Sequence, residues 1–281
     1  MTRTVLCTLA AIAVGCTNNP KDELLPGEQT SEIPLSRFGI TPCGSDTDYE
    51  GDGTIDVHWD YMLDERGRDV HDVGHILAGG PDMTMDSTYD NLDHLTLFVE
   101  HDTPDATFTY EAIYDTLGNN TEVRYSDVLG TDPPYSDATV YSDFDDFGHA
   151  AQSVTTSDDG LGDISTSRTT YTYDEAGRLI QSRGDGGNDG TFESETTVVY
   201  DEATHTVTST TTNTSGSHST RVKTYDGDNN LLTSHTDRFA VDGTLHTTDL
   251  VITRDGGRVR TFSIAIDGAV SSLDTYLYDC Q

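Results

Sequence analysis

Residues 171–180 read YTYDEAGRLI. The stretch falls into three parts: two tyrosines alternating with threonine, a polar tetrapeptide Asp174-Glu175-Ala176-Gly177, and a short run led by Leu179. Asp first and Gly fourth suit a type I turn. The Asp side chain can accept backbone N–H groups across it, and Gly177 can take the left-handed conformation that ends the turn in a bulge. The stretch therefore reads as a β-hairpin, with Tyr171 and Tyr173 on one face of the incoming strand.

The hairpin recurs along the chain. Aligned on its aspartate, it reappears at Asp64, Asp90, Asp115, Asp145, Asp174, Asp201, Asp226, Asp255 and Asp279. These nine positions define a period of about 27 residues, a signature of repeat architecture. Roughly ten residues before each aspartate lies a second turn signal. Asp52-Gly53, Asp189-Gly190, Asp242-Gly243 and Asp267-Gly268 are the clearest, with Pro104, Pro134, Gly162 and Gly216 in the equivalent places. Asp-Gly between alternating stretches marks a tight hairpin turn. Each period thus holds two strands and two turns, and nine periods give about 18 strands. Apolar alternation supports this at Met83, Met85 and Tyr89, at Leu95, Leu97 and Val99, at Phe108, Tyr110, Ala112 and Tyr114, and at Phe262, Ile264 and Ile266. The expectation is an all-β antiparallel meander with one face buried and one wetted. A sheet that wide must curl to cover its apolar face, into a barrel-like closure, a folded-over sheet or a partial shell. Segments such as DISTSRTTYTYD (163–174) offer no lipid-compatible face, which argues against a membrane-spanning barrel.

Charge bounds the partners. The 281-residue chain carries net charge −35. Such a surface repels nucleic-acid phosphates and attracts cations.

The N-terminal MTRTVLCTLAAIAVGC has one early arginine and an apolar run too short to span a bilayer, which reads as an export signal over residues 1–15. Ile12-Ala13-Val14-Gly15-Cys16 resembles the lipobox of bacterial lipoproteins. That resemblance implies cleavage before Cys16, a lipid on Cys16 and an outer-membrane address in the cell envelope. Residues 16–45 then form the lipidated cysteine and a flexible tether, and residues 46–281 the repeat domain. Cys43 and Cys280 remain, flanking the repeats. Two leftover cysteines in an exported protein are expected to pair, and that bridge would favour closure of the sheet.

YTYDEAGRLI also resembles the YD repeat of the Rhs and teneurin proteins, through Tyr173, Asp174, Gly177, Arg178 and Leu179. In large members of that family the repeats form a β-shell. The chain is far shorter and carries neither an Rhs core signature nor an effector segment, so encapsulation is not implied.

Few residues suggest chemistry. Asp48, Glu50, Asp52 and Asp56 in DTDYEGDGTID resemble a calcium loop, with alternate oxygen ligands around a glycine turn. The expected bidentate glutamate is replaced by Trp59, and residues 185–193 are a weaker echo. His71 and His75 in HDVGH lack the glutamate of the zincin motif. No serine sits in a nucleophile elbow. The expectation is a lipid-anchored, non-enzymatic structural or binding module, meeting the membrane through its lipid and an envelope protein or carbohydrate through its surface. A calcium-dependent adhesin and a hydrolase using a carboxylate pair are the alternatives.

Overall fold

The computed structural model describes residues 42–103, 106–255 and 258–278. Within them lie eighteen strands: β1 (Gly44–Tyr49), β2 (Val57–Leu63), β3 (Asp69–Ile76), β4 (Met83–Tyr89), β5 (Leu95–Thr103), β6 (Ala106–Tyr114), β7 (Asn120–Leu129), β8 (Tyr135–Phe144), β9 (Ala150–Asp158), β10 (Ile164–Tyr173), β11 (Leu179–Asp185), β12 (Ser194–Asp201), β13 (Thr206–Asn213), β14 (His218–Tyr225), β15 (Leu231–Phe239), β16 (Leu245–Asp255), β17 (Arg258–Ile266) and β18 (Ala269–Leu277). Each pairs antiparallel with the next, and β18 returns to β1, so the sheet is a closed barrel. Closure is made by the backbone. Cys43 N–H donates to Leu277 O at one end of the β1–β18 seam (2.9 Å), and Glu50 N–H donates to Ser271 O at the other (3.2 Å). The first strand begins at Gly44, two residues before the expected start of the repeat domain.

The repeat turns leave a regular mark on the ladder. Register shifts fall at Met62/Leu63, Thr88/Tyr89, Ile113/Tyr114, Thr172/Tyr173, Thr224/Tyr225 and Thr253/Arg254. Each lies just before a repeat aspartate, where an extra residue forms a bulge. Gly67, Gly118, Gly148 and Gly177 take positive φ in these turns, and Asp93 (70°) and Asn229 (63°) stand in for glycine. In the Asp201 turn the strain moves one place on, from Thr204 to His205 (52°), because a β-branched residue resists that conformation.

Cross-strand partners share a face. The row Ser45–Trp59–Gly74–Met83 and the row Thr47–Asp274–Phe262–Ile252 lie inside the barrel. There Val57, Trp59, Tyr61, Met83, Met85, Phe98, Val259, Phe262 and Tyr276 form the main core, and Leu250, Ile252 and Ile264 pack onto it. Gly74 makes room for the indole, since a Cβ there would lie 2.9 Å from the Trp59 ring.

Two expectations need correction. Leu97 and Val99 do not share the buried face with Leu95; Phe98 and Glu100 are the buried residues of β5. Tyr89 pairs with Leu95 and Thr88 with Leu97, so Thr96 is the extra residue and inverts the alternation beyond it. Nor is one face dry throughout. On β13–β15 the inner row Ser209–Arg221–Thr236 is itself polar, and residues on both faces are half-exposed. The main apolar core therefore fills the β1–β6 and β16–β18 side; a smaller one of Tyr171, Leu179 and Val198, with Tyr173, Tyr200 and Val207 packed on it, lies on β10–β13, and β14 and β15 are the most polar part of the inner wall.

Candidate functional site

One end of the barrel is a ring of repeat turns. In the opening stretch Asp174 Oδ1 accepts the N–H groups of Ala176 and Arg178 (2.9 Å each), and its Oδ2 accepts Arg178 Nε (2.8 Å). Asp64, Asp90, Asp115, Asp145 and Asp226 repeat the pattern with Arg68, His94, Asn119, His149 and Asn230. Asp201 accepts the amides of Ala203 and Thr204, and the Thr204 side chain in place of the residue four places on. Asp255 accepts from Arg260 Nη2 (3.2 Å). Backbone and side-chain hydrogen bonds from Arg178 hold the Asp174 carboxyl below the usual range against the opposing effect of burial. These aspartates are turn-builders, and their carboxylates are spent on the turn.

The residue after the turn glycine has a second task that the sequence reading did not find. It lies on the aromatic ring of the next repeat: Arg68 on Tyr89 (4.8 Å), His94 on Tyr114 (4.4 Å), His149 on Tyr173 (4.8 Å), Arg178 on Tyr200 (4.5 Å) and Arg258 on Tyr278 (5.3 Å). The tyrosine hydroxyls donate back to the preceding repeat, Tyr114 to Leu95 O, Tyr173 to Ala150 O, Tyr200 to Leu179 O and Tyr278 to Val259 O, at 2.8–3.2 Å. The signal in sequence was the recurrence of Arg, His or Asn four residues after the seven aspartates from Asp64 to Asp226; in the shorter Asp255 turn Arg258 follows after three.

The two acidic loops between strands adopt one design. Asp48 accepts the amides of Asp52 and Gly53 (3.1 and 2.8 Å), and Asp185 those of Asp189 and Gly190 (3.0 and 2.8 Å). Asp56 accepts from Tyr49 N–H and Glu193 from Gly186 N–H. Asp52 accepts from Thr54 N–H, and Glu50 is exposed at φ 78°. The carboxylates of 48–56 are thus each directed to the backbone or to solvent. Those of Asp185, Asp189 and Glu193 come within 4.8 Å of one another. A shallow groove of about 240 Å³ beside that second loop is lined by Phe192, Glu193, Ser194, Glu195, Thr212 and Asn213.

Carboxyls also face the core. Burial, with Asp69 beside it, pushes the Asp72 carboxyl up to about 10, and burial with Asp102 nearby pushes Glu100 up to about 9. Asp274 is raised to about 6 by burial, against the Thr47 hydroxyl that donates to it (2.5 Å). Asp69 lies beside Asp72 and Asp102 beside Glu100, and one buried oxygen of each of the four has no hydrogen-bond partner. Each pair stands side by side in the barrel wall rather than across a cleft, where glycosidases hold two carboxyls about 5–10 Å apart.

The outer face is charged around the circumference. Glu111–Arg124 bridges β6 and β7, Arg183–Glu195 bridges β11 and β12, and His235–Asp249 bridges β15 and β16. Across β1–β3 runs a ladder: Asp46 to His58 Nδ1 (2.7 Å), His58 Nε2 to Asp60 (3.6 Å), Asp60 to His75 Nε2 (3.3 Å), and His75 Nδ1 to Asp82 (3.1 Å). His71 turns away to Asp86 (2.8 Å). Cys43 takes part in a disulfide. Its partner lies outside the described residues, as do Cys16, Cys280 and Asp279.

No family model and no curated protein matches the chain. Among solved structures, it is similar to a porin-like protein from Bacteroides uniformis, with 14% identity over 85% of this chain and 96% of that one at a TM-score of 0.46. It is similar to a porin-like protein from Bacteroides vulgatus, with 10% identity over 85% and 99% at 0.40. It is also similar to TcdB2-TccC3-Cdc42, with 11% identity at 0.36, where 79% of this chain is covered but only 15% of the other.

Proposed function

We propose that the protein is a lipid-anchored component of a bacterial cell envelope, whose YD-type barrel is a non-enzymatic structural or binding module standing in water beside the membrane. The observation that carries this is the charged outer face. An arginine at the bilayer midplane of a barrel costs about 2–4 kcal/mol and a carboxylate less, and the outer face carries Arg124 and Arg183 paired with glutamates, together with Asp46, Asp60, Asp237 and Asp249. Membrane attachment is then the task of the lipid on Cys16, carried by the tether that leads to Cys43. The Cys43–Cys280 bridge would tie both ends of the repeat domain at the seam. The hydrolase reading draws less support, because the inward carboxyls stand side by side in the barrel wall rather than facing each other across a cleft. The calcium-adhesin reading draws less too, because Asp48, Asp52 and Asp56 serve backbone amides.

Expression of the full chain in a bacterium, followed by membrane fractionation and mass spectrometry of the N-terminal peptide, tests the reading. Diacylglycerol on Cys16, and release of a Cys16→Ser variant from the membrane, are the expected results. Membrane retention of that variant after a salt and carbonate wash would overturn it. Capture of envelope components on the immobilised barrel then identifies what it binds.

A further inference from the structure

We propose that the repeat-turn rim of the barrel seats on a lipid bilayer through an apolar crescent of Leu92, Leu117, Phe147, Ala176 and Ala203. This rests on the lipid-anchored reading above. The five residues hold the same place in five consecutive repeat turns, two after the aspartate. Each gives its backbone N–H to Oδ1 of that aspartate at 2.8–2.9 Å. The turn is thereby fixed, and the side chain stands clear of it. All five are exposed, Leu92 by 67%, Leu117 by 84% and Phe147 by 79%. Successive turns are two strands apart, about 10 Å, so the crescent is an arc about 40 Å long. Arg66 and Asp228 take the same place in the flanking turns and bound it.

The chain itself brings a bilayer to this rim. Cys43, where the tether ends, lies on the repeat-turn side: its carbonyl accepts the N–H of Tyr61, three residues before the Asp64 turn (3.0 Å). Residues 17–42 separate it from Cys16, and a flexible chain of that length reaches about 25–30 Å. A bilayer under the repeat turns falls within that reach. One under the opposite rim lies a strand length further, about 30 Å for nine residues. The anchor also makes the second contact intramolecular, so a modest apolar surface is enough.

The opposite rim supplies the control. Among the described residues, the large apolar side chains of its loops that are more than half exposed are Leu77, Leu161 and Val241, which stand three hairpins apart. Both rims carry more carboxylates than arginines, so charge opposes contact with anionic lipid and the crescent fits a zwitterionic surface.

Tryptophan quenching in the lipidated chain, held on vesicles of phosphatidylcholine and phosphatidylethanolamine, tests the orientation. Leu117→Trp and Phe147→Trp probe the crescent, Leu161→Trp probes the opposite rim, and the fully buried Trp59 is the reference. With brominated acyl chains, the crescent variants should lose about half of their added emission, as expected of a side chain about 5–10 Å into the interface. Leu161→Trp should lose none. Circular dichroism melts establish that each variant folds, and the crescent has two probes in case one does not. Equal quenching of Leu161→Trp, or no quenching at the crescent in a chain that floats with the vesicles, would overturn the orientation and leave the anchor standing. A chain that does not float refutes the anchor, and the orientation with it.

Discussion

The guanidinium of Arg178 lies 4.5 Å from the centre of the Tyr200 ring while its Nε remains bonded to Asp174 (2.8 Å). One side chain thus ties its own turn to the tyrosine of the next repeat, and Tyr200 returns a hydrogen bond to Leu179 O (3.1 Å). Here the repeat is a mechanical unit, its turn held from within and its junction to the next repeat held from both sides; the Tyr114, Tyr173 and Tyr278 junctions share that form.

That linkage predicts non-additivity. Residues in contact show coupling in a double-mutant cycle, so Arg178→Ala and Tyr200→Ala together should cost less than the sum of the two. Arg178→Ala with Tyr173→Phe should be nearly additive. Tyr173→Phe deletes one hydroxyl-to-carbonyl bond and should cost about 1 kcal/mol, read from urea denaturation.

The inward carboxyls predict a stability that falls as pH rises. Asp72 and Glu100 have folded-state values of about 10 and about 9, far above the roughly 4 of an unfolded carboxyl. The folded chain therefore holds more protons than the unfolded one between those limits. Their stabilisation is complete below about pH 4 and is lost as pH climbs toward 9–10. Melting temperature should drop between pH 5 and pH 8.5. Asp72→Asn and Glu100→Gln, which mimic the protonated forms, should each flatten that drop; an unchanged slope in both would refute the assignment.

Gly74→Ala tests the core. The added methyl meets the Trp59 ring at 2.9 Å, and overpacking of this kind costs about 1–3 kcal/mol. Because Trp59 is the one tryptophan of the chain, its fluorescence reports any displacement directly.

Reduction of the Cys43 disulfide should lower stability without opening the barrel, since the β1–β18 seam is hydrogen-bonded along its length. With the proposed partner Cys280, the closed loop spans the repeat domain and corresponds to about 4–5 kcal/mol in the chain-entropy model. Far-UV circular dichroism should persist under reductant while the melting temperature falls.

The turn chemistry was readable because it is local: Asp174 and Gly177 act within four residues, and nine copies reveal the period. The face of β5 was misread because the bulge at Thr96 inverts the alternation, and bulges are invisible to strict period-two counting. The Arg178–Tyr200 stack and the His58–His75 pair depend on which residues lie opposite across neighbouring strands. HDVGH suggested His71 and His75 as companions, but along a strand they diverge, and the companion of His75 lies on β2.

Closure of the sheet is the claim on which the account rests, and residue-resolved amide exchange tests it most directly. Cys43 N–H donates to Leu277 O across the seam, while Tyr61 N–H donates to Cys43 O on the other side of the same strand. A closed barrel predicts slow exchange at both amides. Fast exchange at Cys43 with protection kept at Tyr61 would mean that β1 is a free edge and the barrel is open.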